Sequence, residues 1–371
     1  MKQKHIVYVV SHVHKSLSFE WIASGLMDNY KLSFILLNSS PSALEDFLTQ
    51  QRINVKRISC RTKRDLIFAF LRTFFYFLFK RPQIIHAHLF DAQIIGLTAA
   101  WMTGVKKRVY TRHNSNYHHA YHPKGVKYDR WSNRIATHIV SISQATDKTL
   151  IEHEGVPISK IIKIPHGFDL GYFIHLPDEK IISFKMKWGI PNKRPVIGVI
   201  ARHIEWKGIQ YIISAFNKFR KENPTAFLIL ANASGPFHQS LVEMLKGIPK
   251  DSVKLIPFEE DVALLYSVFD IYVHAPIDPI CEAFGQTYIE ALAAGIPSIF
   301  TLSGIAAEFI VDEQNALVVK FKSDESIYLA LMRLWGDDDL KKRLVIKGRQ
   351  DVISRFRIER MLVLLKELYE G

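Results

Sequence analysis

Two glutamates, Glu282 and Glu290, stand with seven residues between them in the stretch CEAFGQTYIEALAAGIPSIFT at 281–301. The stretch reads as a loop, a helix and a buried strand. Phe284 and Gly285 make the turn, and 286–294 is rich in strong helix formers. Gly295 is a fitting helix stop, and Pro297 opens the next extended run. One carboxylate therefore lies just before a helix N-terminus and the other on the helix itself. The free N–H groups of a first helical turn carry partial positive charge and suit an anion, above all a phosphate. A carboxylate can accept hydrogen bonds from two hydroxyls at once. Upstream, IARHIEWKGI at 200–209 places Arg202 and Lys207 on a loop between a strand and a helix. Arginine suits bidentate phosphate contact, and lysine acts as a compact point charge. Together these groups could seat a diphosphate. The plain alternatives are an amphipathic helix with two solvated glutamates, and two solvated surface cations.

The elements that must position these side chains alternate along the chain. Strand-like runs at 5–10, 32–37, 55–58, 83–87, 108–111, 138–142 and 161–164 are separated by helix-like segments, among them 16–27, 42–50 and 63–80. The pattern restarts with strands at 195–201, 226–231, 253–256, 270–274 and 316–319 and helices at 208–220 and 262–268; from Asp324 the chain turns helical. Strands alternating with helices imply an α/β architecture of doubly wound parallel sheets. The halves are expected at 1–168 and 195–353, with 169–194 as the crossing between them and a terminal amphipathic helix over 354–371. Ligands of such sheets bind outside the carboxyl ends of the strands, so two consecutive halves define a cleft.

Composition narrows the class. The chain has 371 residues, enough for two domains, and 48% are hydrophobic. Its net charge of +13 favours an anionic partner: nucleic acid, an acidic membrane face or phosphorylated substrates. The two cysteines, Cys60 and Cys281, do not make a disulfide framework, and a reducing cytoplasm is the default expectation. The start MKQKHIVYVVSHVH reads as a first strand rather than a signal peptide, and no apolar run approaches the ~20 residues that span a bilayer. A chain that is free in the cytoplasm, or peripheral at the inner face of the membrane, is expected.

The pattern E-A-F-G-x4-E-A-x-A-x-G-x-P resembles the signature of retaining glycosyltransferases of family 4, which have the GT-B fold. The resemblance implies two Rossmann-like domains facing across a deep cleft, with a C-terminal helix crossing back to the first. It implies transfer of a hexose-type sugar from a UDP- or GDP-sugar to a glycan or lipid-linked acceptor in bacterial surface polysaccharide or glycolipid assembly. No cofactor or metal is implied. Glu282 would hold hydroxyls of the donor sugar, and Glu290 those of the ribose. Backbone amides around Phe284, Gly285, Gln286 and Thr287 would bind sugar and phosphate. Arg202 and Lys207 match a G-R-x4-K-G element, with Ala201 where glycine is usual, and would stabilise the charge that grows on the leaving diphosphate. SGIAAE at 303–308, EQNALV at 313–318 and LIPF at 255–258 match further segments, each with a glycine replaced.

In the first half, His113 in RVYTRHN stands just past a strand end, where the family often has a histidine touching the donor sugar or the reacting centre. A histidine satisfied by its neighbours is the competing reading. The first loop, SHVHKSLS, lacks the family's glycine pair, and Ser16 and Ser18 could offer amides and hydroxyls on the acceptor side instead. Histidines are plentiful here, but no HExxH spacing occurs and no cysteine lies nearby, so a metal site is not expected. KRDLIFAFLRTFFYFLFK at 63–80 is basic at both ends and rich in phenylalanine. Most of its rings are expected in the core, with the basic flanks suited to anionic lipid. Two rivals stay open: another GT-B enzyme such as an epimerase or phosphorylase, and a basic nucleic-acid-binding protein, though no recognised nucleic-acid module occurs.

Overall fold

The computed structural model describes residues 3–62, 64–174, 176–192 and 194–371. They form two compact units, one of residues 1–168 with 358–371 and one of residues 169–357.

In the first unit, β1 (His5–Ser11), β2 (Lys31–Leu37), β3 (Asn54–Ile58), β4 (Ile84–His88), β5 (Lys107–Arg112), β6 (His138–Ser141) and β7 (Ile161–Lys163) make one sheet in the order β3-β2-β1-β4-β5-β6-β7. Every pairing is parallel. Successive side chains of a strand point to opposite faces, and β1 shows the consequence. Ile6, Tyr8 and Val10 enter one core with the helices Leu17–Leu26 and Ile358–Glu370, while Val7 and Val9 enter a second core with Asp65–Lys80 and Phe90–Met102. Both faces are covered, so strand 5–11 is apolar almost throughout rather than alternating.

The second unit repeats the plan with β8 (Val196–Ile200), β9 (Phe227–Ala231), β10 (Val253–Ile256), β11 (Ile271–His274), β12 (Ser298–Phe300) and β13 (Leu317–Val318), ordered β10-β9-β8-β11-β12-β13 and again all parallel. Strand order reverses between β8 and β11, so the loops after these two strands diverge and leave room for a ligand.

Three boundaries differ from the sequence reading. The expected crossing at 169–194 belongs to the second unit and carries a helix, Asp178–Trp188, whose Phe184 is buried. Its polar composition conceals one apolar anchor on an otherwise solvated helix. The terminal helix is not 354–371. One helix, Asp338–Arg355, ends in the second unit, and a separate one, Ile358–Glu370, packs in the first through Met361, Leu365, Leu368 and Tyr369. Within the 63–80 segment, Lys63 lies outside the described residues and the helix is Asp65–Lys80. Phe77 is buried and Phe70, Phe74 and Tyr76 pack against the same core, as expected of most of these rings, whereas Phe68, Phe75 and Phe79 are exposed.

Candidate active site

The loop after β8 is short and fixed. A 3₁₀ turn, Glu205–Lys207, leads into Gly208 and the helix Ile209–Glu222. Gly208 has φ +73°, and a Cβ there would overlap the carbonyl oxygen of Ala275 just past β11. Glycine thus lets the two loops touch. The Ile277 amide donates to the Trp206 carbonyl at 3.0 Å, tying the loops together. The loop after β11 is braced in turn by Asp278, whose carboxylate accepts from the amides of Ile280 (2.8 Å) and Cys281 (2.7 Å). Ser303 Oγ accepts from the Glu282 amide at 3.2 Å.

These braces bring Lys207 and Glu282 together. Lys207 Nζ lies 2.5 Å from Glu282 Oε1, and His274 Nε2 lies 3.0 Å from the same oxygen. Glu282 is 6% exposed and His274 1%. Burial alone would raise the Glu282 carboxyl, but the Lys207 ammonium and the His274 hydrogen bond outweigh it and hold it down to about 2. Burial pushes His274 below the ordinary imidazole range despite Glu282, which keeps the ring neutral and directs Nε2–H at the carboxylate. Lys207 also sits over the Trp206 ring, 4.5 Å from its centroid. An ammonium has three donors, so its bond to Glu282 leaves others to give.

Phe284 is buried and meets Phe356 edge-to-face at 6.0 Å. Gly285 then takes φ +87°, where a Cβ would run into the Tyr288 ring, and caps the helix Gln286–Ala294. Gln286 is exposed and Thr287 half-buried on its first turn. Glu290 lies one turn further on and is not part of the Lys207 cluster. Its Oε2 accepts from Tyr266 Oη at 2.9 Å. Burial raises its carboxyl to about 7, against the Tyr266 hydrogen bond, which lowers it. Arg202 follows β8, exposed between the buried Ala201 and His203, and makes no ion pair among the described residues.

The remaining expected residues lie in the first unit. His113, just past β5, has Nε2 3.0 Å from His88 Nδ1 and its ring stacked on His166 at 5.5 Å. Burial and the neighbouring imidazoles hold it well below the ordinary range, so it is a neutral, partnered histidine. The Ser16 hydroxyl accepts from the Phe19 amide at 3.4 Å and caps the helix Leu17–Leu26, so it is engaged rather than idle; Ser18 sits in the first turn. Among the described residues no three His, Cys, Asp or Glu side chains gather as a metal site.

Two participants escaped the sequence reading: His274, hidden as the last residue of an apolar strand, and Tyr266, on a helix with no charged neighbour of its own. A polar residue ending a buried strand at the carboxyl edge was the available signal for His274.

Known proteins resemble this chain in sequence and in fold. A family model for glycosyl transferases group 1 matches residues 181–351, and one for glycosyltransferase family 4 matches residues 20–172. The capsular polysaccharide biosynthesis glycosyltransferase CapM of Staphylococcus aureus is 23% identical over 322 residues, covering 83% of each chain. Mannosylfructose-phosphate synthase of Agrobacterium fabrum is 26% identical over 233 residues, 60% of this chain and 50% of that one. The chain spans about half the length of the first curated relatives it matches, between 48% and 56%. Among solved structures, Anabaena Alr3699/HepE in complex with UDP and glucose superposes with a TM-score of 0.85 at 18% identity, covering 98% of this chain and 99% of that one. Its likeness shows the fold, which is GT-B.

Proposed function

The chain belongs to glycosyltransferase family 4, and from that premise we propose that it moves a hexose-type sugar from a nucleotide-diphosphate sugar to an acceptor hydroxyl, with retention of configuration. The donor is a UDP- or GDP-sugar, and the acceptor a glycan or lipid-linked acceptor of bacterial surface polysaccharide or glycolipid assembly. Capsule biosynthesis in the name of one relative supports that setting.

The observation that carries the reading is the Lys207–Glu282–His274 cluster beside the helix that starts at Gly285. Glu282, held ionised, accepts hydroxyls of the donor sugar. The diphosphate lies against the free amides of the Gln286–Ala294 helix, within reach of Lys207 and Arg202. The bond between the anomeric carbon and the diphosphate oxygen breaks, and its electron pair stays on the diphosphate. Lys207, Arg202 and the helix N-terminus stabilise that growing charge more in the transition state than in the ground state. The acceptor oxygen bonds to the anomeric carbon on the face the diphosphate leaves, and its proton passes to a diphosphate oxygen. Because Glu282 already bonds Lys207 and His274, it serves as a fixed acceptor of sugar hydroxyls rather than as a nucleophile. Glu290 accepts the ribose hydroxyls and is steadied by Tyr266.

Incubation with a panel of nucleotide sugars, followed by NMR of the anomeric proton, tests the reading. Release of UDP or GDP with an axial product from an axial donor is expected. No turnover, no hydrolysis and no nucleotide binding across the panel would remove it.

A further inference from the structure

The Asp65–Lys80 helix has two apolar faces. One, carrying Ala69, Thr73 and Phe77, is buried in the core of the first unit. The other carries Ile67, Phe68, Leu71, Phe75, Leu78 and Phe79, which remain 66%, 65%, 42%, 50%, 42% and 76% exposed. At about 100° per residue these six fall within roughly 120° of the helix circumference, directly opposite the buried face. The outward stripe therefore does nothing for the core. It exposes several hundred Å² of contiguous apolar surface, as much as the largest patch on a typical monomer, where such a patch marks an interaction site.

Its surroundings decide the partner. Arg64 begins the stripe, Arg72 borders it, and Lys80 and Arg81 close it, all exposed. The single acidic residue of the helix, Asp65, is occupied by the backbone amides of Arg61 and Thr62, both at 2.8 Å. A second copy facing this stripe would meet the same arginines with no carboxylate to offset them. A layer of anionic headgroups over acyl chains satisfies both the rings and the cations. We propose that the outward face of the Asp65–Lys80 helix seats the first unit on an anionic lipid surface, with Phe68, Phe75 and Phe79 entering below the headgroups. The helix follows β3, so its start lies at the carboxyl edge of the sheet, the edge that carries Ser16 and His113. Lipid binding does not depend on the transfer chemistry, so each can fail without the other.

Flotation of the full chain with phosphatidylcholine vesicles, with and without phosphatidylglycerol, tests this. Binding is expected to need phosphatidylglycerol and to weaken with salt. The triple variant Phe68→Ser/Phe75→Ser/Phe79→Ser should bind at least ~10-fold more weakly, and Arg64→Glu/Arg72→Glu should lose a similar factor on anionic vesicles only. All five positions are exposed, so circular dichroism and melting should be unchanged. A Phe75→Trp reporter should be quenched by brominated acyl chains. An unquenched reporter, equal binding by wild type and triple variant, or no vesicle binding would overturn the proposal. So would a dimer in solution that the triple variant abolishes, which would assign the stripe to a second copy.

Discussion

Glu282 and Glu290 are eight positions apart, one before a helix start and one within the helix, and their surroundings push them in opposite directions. Glu282 is braced by a cation and a neutral imidazole, which bring its carboxyl to about 2. Glu290 is met by the Tyr266 phenol instead of a cation and rises to about 7. Burial acts on both; the difference is the charge that answers it. A fixed anion suits a group that must hold sugar hydroxyls through the reaction. A carboxyl that titrates near neutrality suits one whose ionisation is completed by its ligand.

The largest effect is expected from removing the cation. Lys207→Ala should cut turnover by ~10²-fold or more, and it leaves Glu282 buried without its partner, at about 3 kcal/mol or more of stability. Unchanged kinetics by steady-state assay would remove Lys207 from the site and dissolve the contrast. Next, Glu290→Gln should weaken UDP or GDP binding by ~10-fold, and it should abolish any pH dependence of that binding near 7. In the wild type, affinity should rise with pH through about 7 as Glu290 ionises. A flat profile by calorimetry would show that the carboxyl does not titrate there.

Tyr266→Phe sharpens the comparison further. Loss of the hydrogen bond that favours the ionised form should move that midpoint upward, with a few-fold loss of affinity at neutral pH. A midpoint that stays put would separate Tyr266 from Glu290. The smallest effect is on stability. Glu282, lowered from 4.5, contributes stability that is complete above 4.5 and is lost as pH falls toward 2. Glu290, raised from 4.5, binds its proton more tightly when folded, so its contribution is present below 4.5 and is lost as pH rises toward 7. Glu282→Gln should therefore flatten the acid limb of a denaturation series, and Glu290→Gln the limb between 4.5 and 7. Superimposable curves for the two variants would contradict the contrast.

Periodicity was enough to recover the doubly wound plan, because parallel strands buried on both faces leave apolar runs such as YVV and FLIL that stand out against amphipathic helices. The helix after Gly285 was legible from its helix formers and the glycines that bound it, and the roles of Glu282 and Glu290 came from the resemblance. Contacts across the chain were not legible. Lys207 and Glu282 are 75 residues apart, and their pairing depends on Gly208 letting its loop touch Ala275. His274 looked like part of a strand because its backbone is one. Nor does the sequence say which rings of Asp65–Lys80 turn inward: Phe70, Phe74, Tyr76 and Phe77 pack on the core, whereas Phe68, Phe75 and Phe79 do not.

The central claim is that a diphosphate sits against Lys207. Titration of UDP and GDP, each beside its nucleoside, into wild type and Lys207→Ala tests it most directly. The account predicts that one diphosphate binds wild type at least ~10-fold more tightly than its nucleoside and that the gap collapses in the variant. An undiminished gap in Lys207→Ala would contradict it.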